Sequence, residues 1–196
     1  MEQKRIGIIG SGSWATAIAK IVTENGHHIT WCLRQQSNID YFEKRKHNPH
    51  YLSAAYFNPG QLQLSSDLNK VVEASDALVI AVPSAYAEQV FEQLSPEALK
   101  GKKIISAIKG ILPTDNRLLH EYLFTHFNIP VDQYFALLGP CHAEEVASEK
   151  LSYLTFTGIN QTTSQWIADQ FRNHYINTVI NDDVYGVQFA AILKNI

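Results

Sequence analysis

Cysteine is scarce: Cys32 and Cys141 are the only two in 196 residues, and they lie far apart in the sequence. Two thiols cannot staple a small disulfide-rich fold, so the expected setting is reducing and cytoplasmic. Long apolar runs are missing as well. The longest, such as Ala77–Val82, fall far short of the ~20 residues that cross a bilayer as a helix, and no membrane span is expected. No secretory leader is visible, because Lys4-Arg5 precede a short apolar run that ends at glycines rather than at a cleavage site. Charge of one sign is also lacking. The 16 Lys and Arg against 19 Asp and Glu leave a net −3, which exerts no general pull on nucleic acid. The densest basic stretch, Lys44-Arg45-Lys46, is short, follows Glu43 and reads as a solvated face. There is no internal repeat or low-complexity tract. A metal site is not expected either: Cys141, His142, Glu144 and Glu145 cluster in sequence, but such close neighbours seldom converge on one ion, and the same argument weighs against a Cys141–His142 nucleophile pair.

What is present is apolar material for a sizeable core, 45% of the chain with nine Phe and nine Tyr. It is arranged as short β-rich runs alternating with helical patterns. Strands are expected at Arg5–Gly10, His28–Leu33, Asp76–Pro83 and Lys102–Gly110, with a shorter one in Leu62–Leu68 and three later ones in "YFALLGP", "LSYLTFTG" and "INTVIN". Helices are expected over Trp14–Asn25, Asn38–His47, Leu68–Ala74, Ala85–Leu94 and Asn116–Phe127, and in "SQWIADQFRN". Two Asn-Pro steps mark an irregular stretch over Asn48–Gly60. Continuous apolar strands alternating with helices indicate an α/β fold, a doubly wound, mostly parallel Rossmann-type sheet covered on both faces.

The strongest local motif is Gly10-Ser11-Gly12-Ser13-Trp14-Ala15. Gly10 permits a tight turn, Gly12 lets the backbone approach a pyrophosphate, and Ala15 lets the following helix pack closely on the strand. The first turn of that helix offers free N–H groups and a positive dipole end to phosphate. Alone, the motif also fits a tight strand-to-helix turn with no ligand; after a strand and before a helix, it points to a dinucleotide. The second strand ends in Cys32-Leu33-Arg34 with no acid at its tip. A carboxylate there would bind the ribose 2′-hydroxyl of NAD, whereas Arg34 suits a 2′-phosphate, so tolerance of NADP is expected. Lys109 in "SAIKGI" and Gly139 in "GPCHAEEVA" fall at the carboxyl ends of two further strands, where such sheets bind ligands. The bland reading of Lys109 is a strand-end lysine reaching solvent.

The chain finishes in "DDVYGVQFAAILKNI", with Asp182 or Asp183 as helix cap. Only Gln188, Lys194 and Asn195 are polar after the cap, so the pattern predicts a helix buried almost all round. Burial would disfavour the charged form of Lys194, toward the range useful for proton transfer.

These residues together resemble NAD(P)-dependent glycerol-3-phosphate dehydrogenases. The likeness runs from Gly10 to Ala17 through Asn48–Leu52, Val82-Pro83-Ser84, Lys109-Gly110, Gly139-Pro140 with Ala143 and Glu145, to Gly186-Val187-Gln188 and Lys194-Asn195. Cys141 and His142 stand where that family usually has Ser or Thr and then Phe, and "AAYFNPGQ" replaces a Pro-rich connection. The resemblance implies hydride transfer between NAD or NADP and dihydroxyacetone phosphate, giving glycerol 3-phosphate, a glycerophospholipid precursor. It implies Lys194 as general acid/base, Lys109, Gly139 and Asn195 at the substrate, and Gly10, Ser11, Gly12, Ser13, Trp14, Arg34, Pro83, Lys109 and Ala143 at the cofactor. It further implies that 1–181 form the cofactor domain and that 182–196 open a helical substrate domain absent here, so that this stretch binds cofactor without turnover. A homodimer is expected of the complete protein. The alternatives are a related hydroxy acid or keto acid dehydrogenase, or a dinucleotide-sensing module without turnover. The Lys109 and Lys194 pattern argues against the sensor, which needs no proton donor.

Overall fold

A computed structural model describes residues 4–193. Eight strands, β1 (Ile6–Ile9), β2 (Ile29–Cys32), β3 (Leu62–Ser65), β4 (Ala77–Ile80), β5 (Lys103–Ser106), β6 (Tyr134–Leu138), β7 (Ser152–Thr157) and β8 (Ile176–Asn181), form one sheet in the order β3-β2-β1-β4-β5-β6-β7-β8. The first six are mutually parallel. β1, β4 and β6 are buried along their whole length, which is why their sequences carry no polar alternation.

Helices α1 (Ser13–Glu24), α2 (Gln36–Arg45), α6 (Ala143–Ala147) and α7 (Gln161–Phe171) cover one face. On that face Trp31 packs edge-on against Phe42 at 5.5 Å between ring centres. Helices α3 (Leu68–Glu73), α4 (Ser84–Phe91), α5 (Leu119–Phe127) and α8 (Val184–Leu193) cover the other. β1 serves both layers: Ile6 and Ile8 point into the first, Ile9 into the second.

The sheet is mostly parallel, as expected, and two element boundaries need correction. β7 runs antiparallel to β6 and carries β8 with it. The intervening α6 has five residues, about 7.5 Å of helix against about 16 Å of strand, too short to return the chain for a parallel strand. The run from Lys102 to Gly110 leaves the sheet after Ser106, whose hydroxyl takes the Ile108 N–H at 3.3 Å. The helix expected from Asn116 starts at Leu119. Residues before it are held in a bridge between Leu112 and Arg117, Asn116 is left-handed at φ 52°, and the Glu121 carboxylate accepts the Leu118 N–H at 2.9 Å.

Candidate functional site

Because β1, β2, β4, β5 and β6 are parallel, their carboxyl ends share one edge of the sheet, and the chain reverses its winding between β1 and β4. The crevice opens there. Gly10 has φ +127°, and a Cβ on it would stand 2.3 Å from the Ala81 carbonyl oxygen beyond β4. No other residue fits that turn. Gly12 differs in kind: its backbone is extended (φ −78°, ψ −176°), open to any residue, and nothing lies within 4 Å of where its Cβ would be. The fold does not require glycine at 12, so the free space over it fits an approaching ligand. No side chain caps α1 at Gly12 and its first turn holds no acid, so the leading N–H groups and positive helix end face that space with no anion of the protein's own. Ser11, Ser13 and Trp14 are half-buried around it.

A residue that the resemblance includes but to which the sequence reading assigned no role fixes this loop. Asn48, 2% exposed, donates from Nδ2 to the Ser11 carbonyl at 3.1 Å and to Thr16 Oγ1 at 2.8 Å, while its Oδ1 accepts the N–H groups of His50 and Tyr51. Thr16 Oγ1 in turn donates to the Gly12 carbonyl at 2.9 Å. From the other side Trp31 Nε1 donates to the Gly10 carbonyl at 2.7 Å. The signal was the Asn of an Asn-Pro step, which looks like turn punctuation. Asn48→Ala leaves a buried carbonyl and hydroxyl short of a donor, so it is expected to cost about 1–3 kcal/mol in denaturant unfolding and to weaken ligand binding at the loop. An unchanged unfolding midpoint would contradict this.

The other expected residues collect along the same edge. Arg34 is exposed just past β2 and has no hydrogen bond or ion pair among the described residues. Cys32, next to it, has its thiol pushed up to about 11 by burial and by the Asp67 carboxylate, which leaves it inert at neutral pH. Pro83 caps α4 at the end of β4. Ala143 is buried at the start of α6. Gly139, at φ +156° with the Tyr153 carbonyl 2.3 Å from its missing Cβ, turns the chain sharply out of β6.

Beside Gly139 lies a groove of about 290 Å³. Lys109 and Gly139 line it on the strand-end side, Thr155 contributes from β7, and Val187, Ala190 and Ala191 of α8 form the opposite wall. Lys109 Nζ also sits 5.2 Å from the centre of the Trp14 ring, so a single ammonium adjoins both groove and glycine loop. Lys194 and Asn195 fall outside the described residues. Cys141 is buried and His142 exposed. Among the described residues no group of His, Cys, Asp and Glu could hold a metal ion, and no helix is long and apolar enough to cross a membrane.

α8 corrects the expectation of a helix buried all round. Its buried residues are Val184 and the polar Gln188, while Phe189 is 48% and Leu193 68% exposed. Asp183 is the cap, accepting the Gly186 N–H at 2.8 Å. Gln188 anchors the helix: its Oε1 accepts from Tyr134 Oη on β6 at 2.8 Å, and its Nε2 bonds the Val184 carbonyl and faces His120 Nδ1 of α5 at 3.4 Å. Burial lowers the pKa of His120 from 6.5, because a charged imidazole there loses water, and the Glu121 carboxylate opposes this only in part. A depressed folded-state His pKa means that unfolding takes up a proton. Stability is therefore expected to be intact above pH 6.5 and to decline as pH falls below it, with the slope reduced in His120→Gln. An unaltered slope in that variant would assign the decline to other groups.

A family model described as the N-terminus of NAD-dependent glycerol-3-phosphate dehydrogenase matches residues 5–164. The chain is 33% identical to the glycerol-3-phosphate dehydrogenase [NAD(P)+] of Latilactobacillus sakei, over 97% of this chain and 57% of that protein. It is 31% identical to that of Enterococcus faecalis, over 100% and 57%. A crystal structure of glycerol-3-phosphate dehydrogenase from Coxiella burnetii superposes with a TM-score of 0.89 at 26% identity, covering 98% of this chain and 58% of that one. The chain thus spans less than two thirds of the length of these relatives.

Proposed function

Because the chain belongs to the NAD-dependent glycerol-3-phosphate dehydrogenase family, we propose that it is the dinucleotide-binding part of an oxidoreductase that interconverts dihydroxyacetone phosphate and glycerol 3-phosphate with NAD or NADP. The observation that carries the reading is the open space over Gly12 at the uncapped start of α1, with Lys109 beside the Trp14 ring and lining the adjoining groove. Gly10, Ser11, Gly12, Ser13 and the leading amides of α1 would hold the pyrophosphate, with Pro83 and Ala143 along the rest of the dinucleotide. When bound, the reduced nicotinamide supplies the hydride that reaches C2 of the ketone.

Every other task belongs to the chain. Lys109 would polarise the C2 oxygen, Gly139 would offer backbone at the groove, and Lys194 would give a proton to that oxygen as it becomes an alkoxide, with Asn195 holding the site together. In the reverse direction Lys194 takes the proton from the C2 hydroxyl. An ammonium beside a forming alkoxide stabilises charge that exists only in the transition state. Among the described residues Lys109 is the single charged one lining the groove. A phosphate monoester needs more than one donor to be held, so residues 1–196 alone are expected to bind dinucleotide and not to turn over. An assay of the complete gene product with NADH and with NADPH, against dihydroxyacetone phosphate and against keto acids, tests the reading. Turnover on a keto acid but not on the phosphate would replace it.

Arg34 is proposed to read the 2′-phosphate. Losing a hydrogen-bonded ion pair of about 1.5–3 kcal/mol, Arg34→Ala is expected to weaken NADPH about tenfold or more and NADH much less, by calorimetry. Equal losses for both would deny Arg34 that role.

A further inference from the structure

We propose that Trp14 is a positioning residue for Lys109, its indole face holding the ammonium at the seam between glycine loop and groove. The inference rests on Lys109 being a substrate contact as proposed above. Lys109 Nζ lies 5.2 Å from the Trp14 ring centre, inside the roughly 6 Å over which a cation is drawn to an aromatic face. No carboxylate pairs with Lys109 and no hydrogen bond fixes it among the described residues. The ring is what orients it.

Both sides of the contact are anchored. Trp14 is half-buried in the first turn of α1 and packs against the core on that face of the sheet. On the other side, Gly110 follows Lys109 with φ +155°, and a Cβ there would stand 2.8 Å from Ser84 Oγ at the start of α4. The backbone carrying Lys109 is thereby pressed against α4, leaving its side chain to span the distance to α1.

Electrostatics makes the ring necessary. The start of α1 is the positive end of a helix dipole, which repels an ammonium. Without the negative face of the indole, the flexible lysine would extend into water, away from the groove. With it, the ammonium and the helix end are held side by side, and both face the space where an anionic cofactor and an anionic substrate would meet. Trp14 would then act on the substrate through Lys109, in addition to any contact of its own with the dinucleotide.

A double-mutant cycle on the complete gene product tests this. Trp14→Leu is expected to raise KM for dihydroxyacetone phosphate about three- to tenfold, the loss of one cation–π contact, with kcat changed less. Trp14→Phe keeps an aromatic face and is expected to restore most of the loss. In a Lys109→Met background, Trp14→Leu should add nothing to KM. Additive effects would overturn the proposal while leaving Lys109 as a substrate contact. No effect of Lys109→Met on KM would instead remove the site reading beneath it. The 196-residue chain gives a readout independent of turnover. With isotope-labelled methyl groups on its lysines, the Lys109 resonance, identified by its loss in Lys109→Arg, should be displaced by the indole ring current and return to the position of a free lysine in Trp14→Leu. An undisplaced resonance in the unaltered chain would also overturn the proposal.

Discussion

Gly12→Val is expected to abolish dinucleotide binding, lowering affinity at least a hundredfold, while leaving the fold almost untouched. The separation of the two effects follows from the geometry. Gly12 has an extended backbone that valine adopts without strain, and its Cβ would enter space that no protein atom occupies within 4 Å. Exchanging Gly for an apolar residue at a helix start therefore costs stability about 1 kcal/mol or less. A pyrophosphate approaching the first turn of α1 would meet the new methyl groups and stand off from the amides. Charge-assisted hydrogen bonds contribute about 1.5–3 kcal/mol each, so losing two accounts for a hundredfold or more. Gly10→Ala is the contrasting variant: its Cβ would press on the Ala81 carbonyl in a left-handed backbone, so stability and binding should fall together. Calorimetric titration of NADH beside thermal unfolding distinguishes the two. Native affinity in a well-folded Gly12→Val chain would mean that the dinucleotide does not use this loop.

The contrast between Gly10 and Gly12 also marks how far the sequence could be read. Both glycines were visible as a motif after a strand and before a helix, because a tight turn and a close approach leave the same one-letter trace. Which of the two answers to the fold and which to a ligand depends on Ala81, some seventy positions away, and so was not legible. Strand identities were clear where both faces are buried, as in Ile6–Ile9 and Ala77–Ile80. The direction of β7 was not, because it depends on how far α6 can carry the chain. The role of Asn48 was hidden for a similar reason: its hydrogen bonds to Ser11 and Thr16 span more than thirty residues. In α8 the apolar pattern suggested general burial, whereas the described part of the helix is anchored by a polar residue, Gln188 between Tyr134 and His120. Hydropathy alone cannot report such a partnership, since it depends on two other elements arriving at the same place.

Lys194→Ala is expected to remove turnover from the complete gene product while sparing dinucleotide affinity. α8 brings Val187, Ala190 and Ala191 to the wall of the groove that Lys109 and Gly139 line, and Lys194 follows the last described residue of that helix. The glycine loop that would hold the dinucleotide lies at the carboxyl end of β1 and owes its shape to Asn48, Trp31 and Ala81 rather than to α8. Binding and chemistry should therefore part company in this variant. A general acid contributes about 10²–10⁴-fold to rate, and the ammonium's stabilisation of the alkoxide is lost with it, so kcat should fall by about 10³-fold or more. Lys194→Arg keeps the charge but holds its proton too tightly to donate it, and should recover little. The unaltered 196-residue chain should likewise bind NADH and leave dihydroxyacetone phosphate unreduced. With Lys109 the only charged residue lining the groove among the described residues, it forgoes much of the roughly 7–11 kcal/mol that a fixed orientation of reactants can supply. Steady-state rates beside calorimetric affinities decide both points. Near-native kcat in Lys194→Ala would move the proton donor elsewhere, and Lys109, whose ammonium lines the groove, would be the first residue to replace.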